Sequence, residues 1–160
     1  MLTRESNTGF SLIELILVMA IVGILSAISI PKISTLVEDV REKAVVERLI
    51  ADLSFIRNHA VSYHDTTWLV VDQAQNQYGL YSGPSAGTRV LIPDPHTGES
   101  AVLDLDDDYV GVSISSVDFG GSAEIFFNWW GVPSAGGTVV LNSSRTVTLI
   151  AETGMTYESP

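Results

Sequence analysis

The residue best placed to do chemistry is Glu14, a lone carboxylate in an otherwise uncharged apolar run at residues 10–30. A carboxylate in such a run costs roughly 2.5–3.5 kcal/mol on membrane-insertion scales, so it needs a partner or a function. No Lys, Arg or His lies between Gly9 and Lys32, so no side chain of the run can neutralise it. If the chain were cut after Gly9, Phe10 would gain a free ammonium one helical turn from Glu14. That cation could serve Glu14 of its own chain or of a neighbour. The chemistry on offer here is charge pairing in an apolar medium.

Other candidates are weaker. Asp104-Leu105-Asp106-Asp107-Asp108 is the best calcium candidate, because calcium prefers clustered oxygen ligands. It lacks the alternating ligands, central Gly and distal Glu of an EF-hand, and a solvated acidic turn between strands is the favoured reading. No other cofactor is expected. His59, His64 and His96 have no spacing that builds a zinc site and are expected at the surface or its boundary. Gly120-Gly121-Ser122 and Gly131-Val132-Pro133-Ser134 contain serines without a nucleophile elbow, so an enzyme is not expected. Asn142-Ser143-Ser144 is formally a glycosylation sequon, read as chance in a turn. Trp129 and Trp130 are candidate interface residues. In a regular strand they point to opposite faces, leaving one free to anchor a neighbouring subunit. The competing reading packs both on a loop.

The elements that position these residues follow from periodicity. The run at 10–30 has twenty-one residues, roughly 30 Å of helix at about 1.5 Å each, enough to cross a bilayer core. An ordinary secretory signal, with Ala27-Ile28-Ser29 as its cleavage site, does not suit Glu14 within the core. A plain signal anchor, with Glu14 snorkelling to the membrane edge, is the other bland reading. From Lys32 onward, Ile33, Leu36, Val37, Val40, Ala44, Val45, Leu49, Leu53, Ile56 and Ala60 recur at steps of three and four, one stripe of an amphipathic helix. Asp39 and Lys43 have the acid-before-base spacing that supports it. One helix is therefore expected over 10–63, kinked or loosened near Pro31. Beyond His64 the pattern turns to strands. A hairpin is expected from Thr67-Trp68-Leu69-Val70-Val71 and Gln77-Tyr78-Gly79-Leu80-Tyr81, with further strands at 89–92, 102–105, 110–114, 124–127, 137–141 and 146–150. The fold class is α+β: a long N-terminal helix carrying an antiparallel β head.

Charge narrows the function. Net charge is −11, and residues 61–160 hold only Arg89 and Arg145 against twelve Asp and Glu. A head this acidic repels phosphate backbones and anionic lipid, so nucleic acid is not an expected partner. With no cysteine, a disulfide framework is excluded.

Gly9-Phe10-Ser11-Leu12-Ile13-Glu14-Leu15 resembles the class III signal of the type IV pilin-like superfamily, found in type IV prepilins and type II secretion pseudopilins. The resemblance implies cleavage after Gly9 by a prepilin peptidase, N-methylation of Phe10, and a role for Glu14 in methylation, assembly or both. Counted from Phe10, Pro31 falls where pilins commonly carry a helix-kinking Pro. The leader departs from the pattern in being less basic, Arg4 being followed by Glu5. The later strands resemble the pseudopilin H group, which includes minor pilins of the DNA-uptake type. The matching pieces are Phe126-Phe127-Asn128-Trp129-Trp130-Gly131-Val132-Pro133, Gly136-Gly137-Thr138-Val139-Val140-Leu141, and Thr146 through Gly154. Where DNA-binding relatives carry a Gly-Arg-x-Arg stretch, this chain reads Gly154-Met155-Thr156-Tyr157.

The resemblance implies a leader at 1–9, a transmembrane half-helix at 10–30, an amphipathic half at 31–64 and a periplasmic β-rich head at 65–160. It implies a minor pseudopilin of a type II secretion system, held in the bacterial inner membrane before assembly into a periplasmic pseudopilus. Expected partners are prepilin peptidase, major and other minor pseudopilins and the inner-membrane assembly platform. The nearest alternative is a type IV pilus minor pilin that primes pilus assembly. A DNA-uptake minor pilin or other tip-binding module fits less well.

Overall fold

The computed structural model describes residues 10–99 and 102–159, and for residues 27–35 the backbone alone. The chain divides into two compact units, Met1–Val37 and Glu38–Pro160, and the first helix contributes to both. This helix, α1 (Leu12–Tyr63), continues through Pro31. In the second unit it buries Val45, Val46, Leu49, Leu53, Ile56 and Ala60. These recur at helical spacing and form the seam on which the strands pack.

The strands form two antiparallel sheets. In the first, β1 (Thr67–Asp72) lies between β2 (Gln77–Ser82) and β6 (Glu124–Phe127), while the two-residue strands β3 (Val90–Leu91) and β4 (Leu103–Asp104) both pair with β2. A single helical turn, α2 (Leu105–Asp108), follows β4. The second sheet runs in the order β5 (Ile114–Asp118), β7 (Gly137–Leu141), β8 (Arg145–Leu149), β9 (Thr156–Ser159). Leu69, Ile125 and Phe127 of the first sheet and Val139, Leu141 and Val147 of the second join the α1 seam in one core. Each large apolar side chain so buried contributes roughly 1.5–3 kcal/mol.

Side chains join the pieces. Asn76, in the β1–β2 turn at φ 51°, donates from Nδ2 to Asp106 Oδ1 (2.7 Å) and Val112 O (2.9 Å), and its Oδ1 accepts from Ile114 N–H (2.9 Å). One turn residue thus ties both sheets together. Gly137, opening β7, has no room for a side chain: a Cβ there would lie 2.7 Å from Phe119 Cα. Backbone cannot yield as a flexible side chain can, so Gly137→Ala should destabilise the head by about 2 kcal/mol or more, read as a lower denaturation midpoint.

The expected hairpin and the strands at 124–127 and 137–141 are found as expected, the helix expected over 10–63 starts at Leu12, and the strand expected at 146–150 lies one residue earlier. Four expectations need correction. The strand expected at 89–92 keeps only Val90 and Leu91, because Arg89 N–H turns back to Ser85 O and Pro93 follows. The strand expected at 110–114 starts only at Ile114, because Gly111 takes a φ of 93° and Val112 N–H turns back to Tyr109 O. The strand expected at 102–105 keeps two residues, because Asp104 caps α2 by accepting from Asp106 N–H (2.9 Å). Asp39 does not pair with Lys43; it binds Arg145, while Lys43 faces Glu47 at 3.9 Å. Strand β9 was not expected at all.

Candidate functional site

The N-terminal unit covers none of its described apolar side chains. Every described side chain from Phe10 to Ser26 is exposed, with Phe10 at 83 % and Leu12 at 78 %. Glu14 sits in the first turn of α1, where an acid complements the helix dipole. Its N–H donates to Ser11 O (3.1 Å), with Ser11 Oγ at 3.3 Å. The only hydroxyl further along the described part of this run, Ser26, donates from Oγ to Val22 O (2.7 Å) and so hides its polarity in the helix. Among the described residues no helix is long and apolar enough to cross a membrane; the apolar run continues into 27–30. Gly9 lies outside the described residues, as does the side chain of Pro31.

In the head, a buried polar network crosses the core. Arg48 on α1 donates from Nε to Asp52 Oδ2 (3.0 Å) and from Nη2 to Asp94 Oδ2 (2.5 Å), and Tyr78 OH donates to Asp52 Oδ2 (2.7 Å). Asp52 is 1 % exposed. Burial alone would lower the Arg48 pKa, but the bonds to Asp94 and Asp52 outweigh it and hold the guanidinium charged. Asp94 is pushed up by burial, yet His96 N–H and Arg48 hold it below the usual carboxylate range. Burial, reinforced by Asp52, raises Tyr78 well above 10.0.

These shifts set a pH window. An unfolded tyrosine ionises from pH 10.0 upward while buried Tyr78 stays neutral, so the head should lose stability as pH rises beyond 10.0. On the acid side, the Asp94 contribution is present above 3.8 and lost as pH falls through its lower folded value. Denaturant midpoints measured across pH should show both flanks, and Tyr78→Phe should flatten the alkaline one.

The network was not expected from sequence. Its signal was an acid, Asp52, within the apolar stripe, four residues after a base.

Asp104, Asp106, Asp107 and Asp108 form or cap α2; Asp104 and Asp106 are engaged by Asp106 N–H and by Asn76. Among the described residues, no three His, Cys, Asp or Glu side chains gather as metal ligands. His59 lies between Phe55 and Tyr63, stacked on Tyr63 at 4.3 Å, and burial lowers its pKa. Asn142 and Ser143 form the β7–β8 turn with φ of 46° and 58°, and Asn142 Nδ2 donates to Glu42 Oε1 (2.6 Å) and Gly111 O (3.0 Å). The sequon asparagine is thus already bonded.

Trp129 and Trp130 lie in a turn after β6, so the rule of opposite strand faces does not apply. Their rings pack together at 4.0 Å, Trp129 stacks on His64 at 6.0 Å, and they are 44 % and 67 % exposed. Beside them Arg57 donates from Nε to Gly131 O (3.1 Å). A Cβ on Gly154 would come within 3.2 Å of that nitrogen. The arginine next to the Gly154-Met155-Thr156-Tyr157 turn is therefore committed to a carbonyl. Across the second sheet, Arg145 holds Asp39 (2.5 Å), Glu42 (3.6 Å) and Glu158 (2.5 Å), tying β9 to α1.

Comparisons with known proteins agree with this architecture. The family model described as the prokaryotic N-terminal methylation motif matches residues 5–30, and that described as type II transport protein GspH matches residues 45–154. Two solved structures of the minor pseudopilin EpsH from the type 2 secretion system of Vibrio cholerae are similar in fold. Each has a TM-score of 0.58 and 11 % identity over 74 % of this chain, covering 94 % and 95 % of those chains. A search of curated protein sequences returns no match.

Proposed function

The chain belongs to the type II transport protein GspH family, and from that premise we propose that it is a minor pseudopilin that assembles into the pseudopilus of a secretion system. The family is one of structural subunits, not enzymes. The observation that carries the proposal is the methylation motif at residues 5–30, which runs into a helix starting at Leu12 whose described side chains through Ser26 are all exposed. An apolar surface of that kind needs lipid first and other helices later.

In this reading the chain enters the inner membrane through residues 10–30, with its head in the periplasm. Prepilin peptidase cuts between Gly9 and Phe10 and methylates Phe10. The helix then leaves lipid for a bundle of pseudopilin helices, where Glu14 pairs with the Phe10 ammonium of an adjacent subunit. A polar pair shielded from water fixes axial register at a desolvation cost. Pro31 adjusts the helix for packing, and the exposed Trp129–Trp130 pair offers the head an aromatic anchor.

Processing is tested by Gly9→Ser or a bulkier residue. The expected result is an uncut precursor, visible as slower migration than wild type; wild-type mobility would count against the class III signal. The system is assigned by deleting the gene, complementing it, and scoring secretion, surface piliation and DNA uptake in parallel. Loss of secretion alone is expected. Loss of pili or uptake with secretion intact would make the chain a type IV pilus minor pilin.

A further inference from the structure

Among the described residues Asp52 is the one charged side chain that is fully buried, at 1 % exposure. Helical spacing puts it there, three positions after Leu49 and beside Leu53 on the seam of α1 that the strands cover. Folding strips water from both oxygens of its carboxylate, so each needs a new donor. Oδ2 is supplied twice, by Arg48 Nε (3.0 Å) and by Tyr78 OH (2.7 Å). Oδ1 is also buried and accepts no hydrogen bond among the described residues. A bare acceptor on a buried charged group is costly.

The space beside this carboxylate has the matching size and polarity. A void of about 10 Å³ is lined by Arg48, Asp52, Tyr78 and Asp94, with Leu80 among its apolar neighbours. That volume is about what one water occupies, and a buried water needs two to four polar partners. Both kinds of partner are present. Arg48 commits Nε to Asp52 and Nη2 to Asp94, and its Nη1 donates to no described residue. The Asp94 carboxylate supplies further acceptor capacity.

We infer that this void is the binding site of one structural water, which donates to Asp52 Oδ1 and to Asp94 and accepts from the Arg48 guanidinium. The water satisfies the oxygen that no side chain reaches, and it adds a second link between α1 and Asp94 alongside Arg48. A void of this size lined only by apolar groups would stay dry, but this one carries charged groups of both signs. A metal ion fits less well. Arg48 already sets a positive charge at the void, and among the described residues no three His, Cys, Asp or Glu side chains gather as ligands. Arg48, Asp94 and Leu103 also line a neighbouring open cleft of about 390 Å³. They are therefore the wall between void and solvent, and the water exchanges when the Arg48–Asp94 pair opens. The site does not depend on the pseudopilus reading.

The test is water-selective NMR on the full chain, deuterated and ¹³C-methyl-labelled at leucine, in deuterated detergent micelles. Leu80 lines the void and is 6 % exposed, so its methyls are shielded from bulk solvent. Cross-peaks from water to these methyls are expected, with NOE and ROE of opposite sign, the signature of a water held in place. Tyr78→Phe should keep them, which excludes relay through an exchanging hydroxyl. Arg48→Met/Asp52→Leu removes two of the three partners and should lose them, its fold being verified by the dispersion of the other methyl signals. No cross-peak in wild type, loss in Tyr78→Phe, or persistence in the folded double variant would each overturn the site. Cross-peaks that fade when sodium chloride replaces choline chloride would overturn it too, since the occupant would then be a cation.

Asp94→Ala tests the wall. With the ion pair gone, the opposite-sign peaks should give way to the weak same-sign peaks of passing solvent. Unchanged peaks in that variant would overturn the exit through Arg48 and Asp94.

Discussion

A Glu14→Val chain should insert into the membrane and be cleaved like wild type, yet enter filaments about tenfold less often or worse. The signs of the two effects separate them. In lipid the carboxylate is a burden of roughly 2.5–3.5 kcal/mol, so removing it eases insertion. In the proposed helix bundle it would neutralise the ammonium of a neighbouring Phe10. Removing one partner of a shielded pair costs about 3–5 kcal/mol, because the other charge stays buried alone. No cation lies between Gly9 and Lys32 to compensate within the run. Glu14→Asp should rescue partially, since it keeps the charge but shortens the reach, whereas Glu14→Gln should not. Crosslinking in sheared filament fractions, normalised to membrane-inserted protein, reads the effect. Wild-type incorporation of Glu14→Val would end the register argument, whatever the variant did to methylation.

The contrast between legible and illegible parts of this chain follows from the range of the forces involved. Val45, Leu49, Leu53, Ile56 and Ala60 announced the buried face of α1 because helical periodicity is local. The same stripe continues through Leu36 and Val40, which are 65 % and 67 % exposed, since periodicity says which face is apolar and not what covers it. Val110, Val112 and Ile114 alternate like a strand, but Gly111 at φ 93° breaks the extended backbone, and a two-residue period cannot register one positive φ. β9 was missed because Thr156 to Ser159 carries almost no apolar pattern. It is held by backbone pairing to β8, the strand just before it, and by Arg145 reaching Glu158, contacts that depend on the turn between the strands and leave no apolar period in the sequence. Asp39 had a local partner in Lys43 and took a distant one, because Arg145 also gathers Glu42 and Glu158 and a network outweighs a single exposed pair. Glu14 stands out for the opposite reason. A charge in an apolar run is conspicuous without any structure.

Arg48→Met should cost the head about 3–5 kcal/mol, a large part of the roughly 5–15 kcal/mol that holds an ordinary domain together. Arg48 is 12 % exposed and its partners Asp52 and Asp94 are 1 % and 15 % exposed, so water screens little of the loss. Methionine fills much of the same space, so most of the loss comes from leaving the Asp52 carboxylate buried without its counter-charge. Tyr78 continues to donate to Asp52 Oδ2, but one neutral donor does not balance a buried charge whose Oδ1 accepts no hydrogen bond among the described residues. Adding Asp52→Leu removes that charge, so the double variant should be more stable than Arg48→Met alone. Urea unfolding of the full chain in detergent, followed by the fluorescence of the buried Trp68, gives the cycle. A single-variant loss below about 1 kcal/mol would mean the network behaves as a hydrated surface pair.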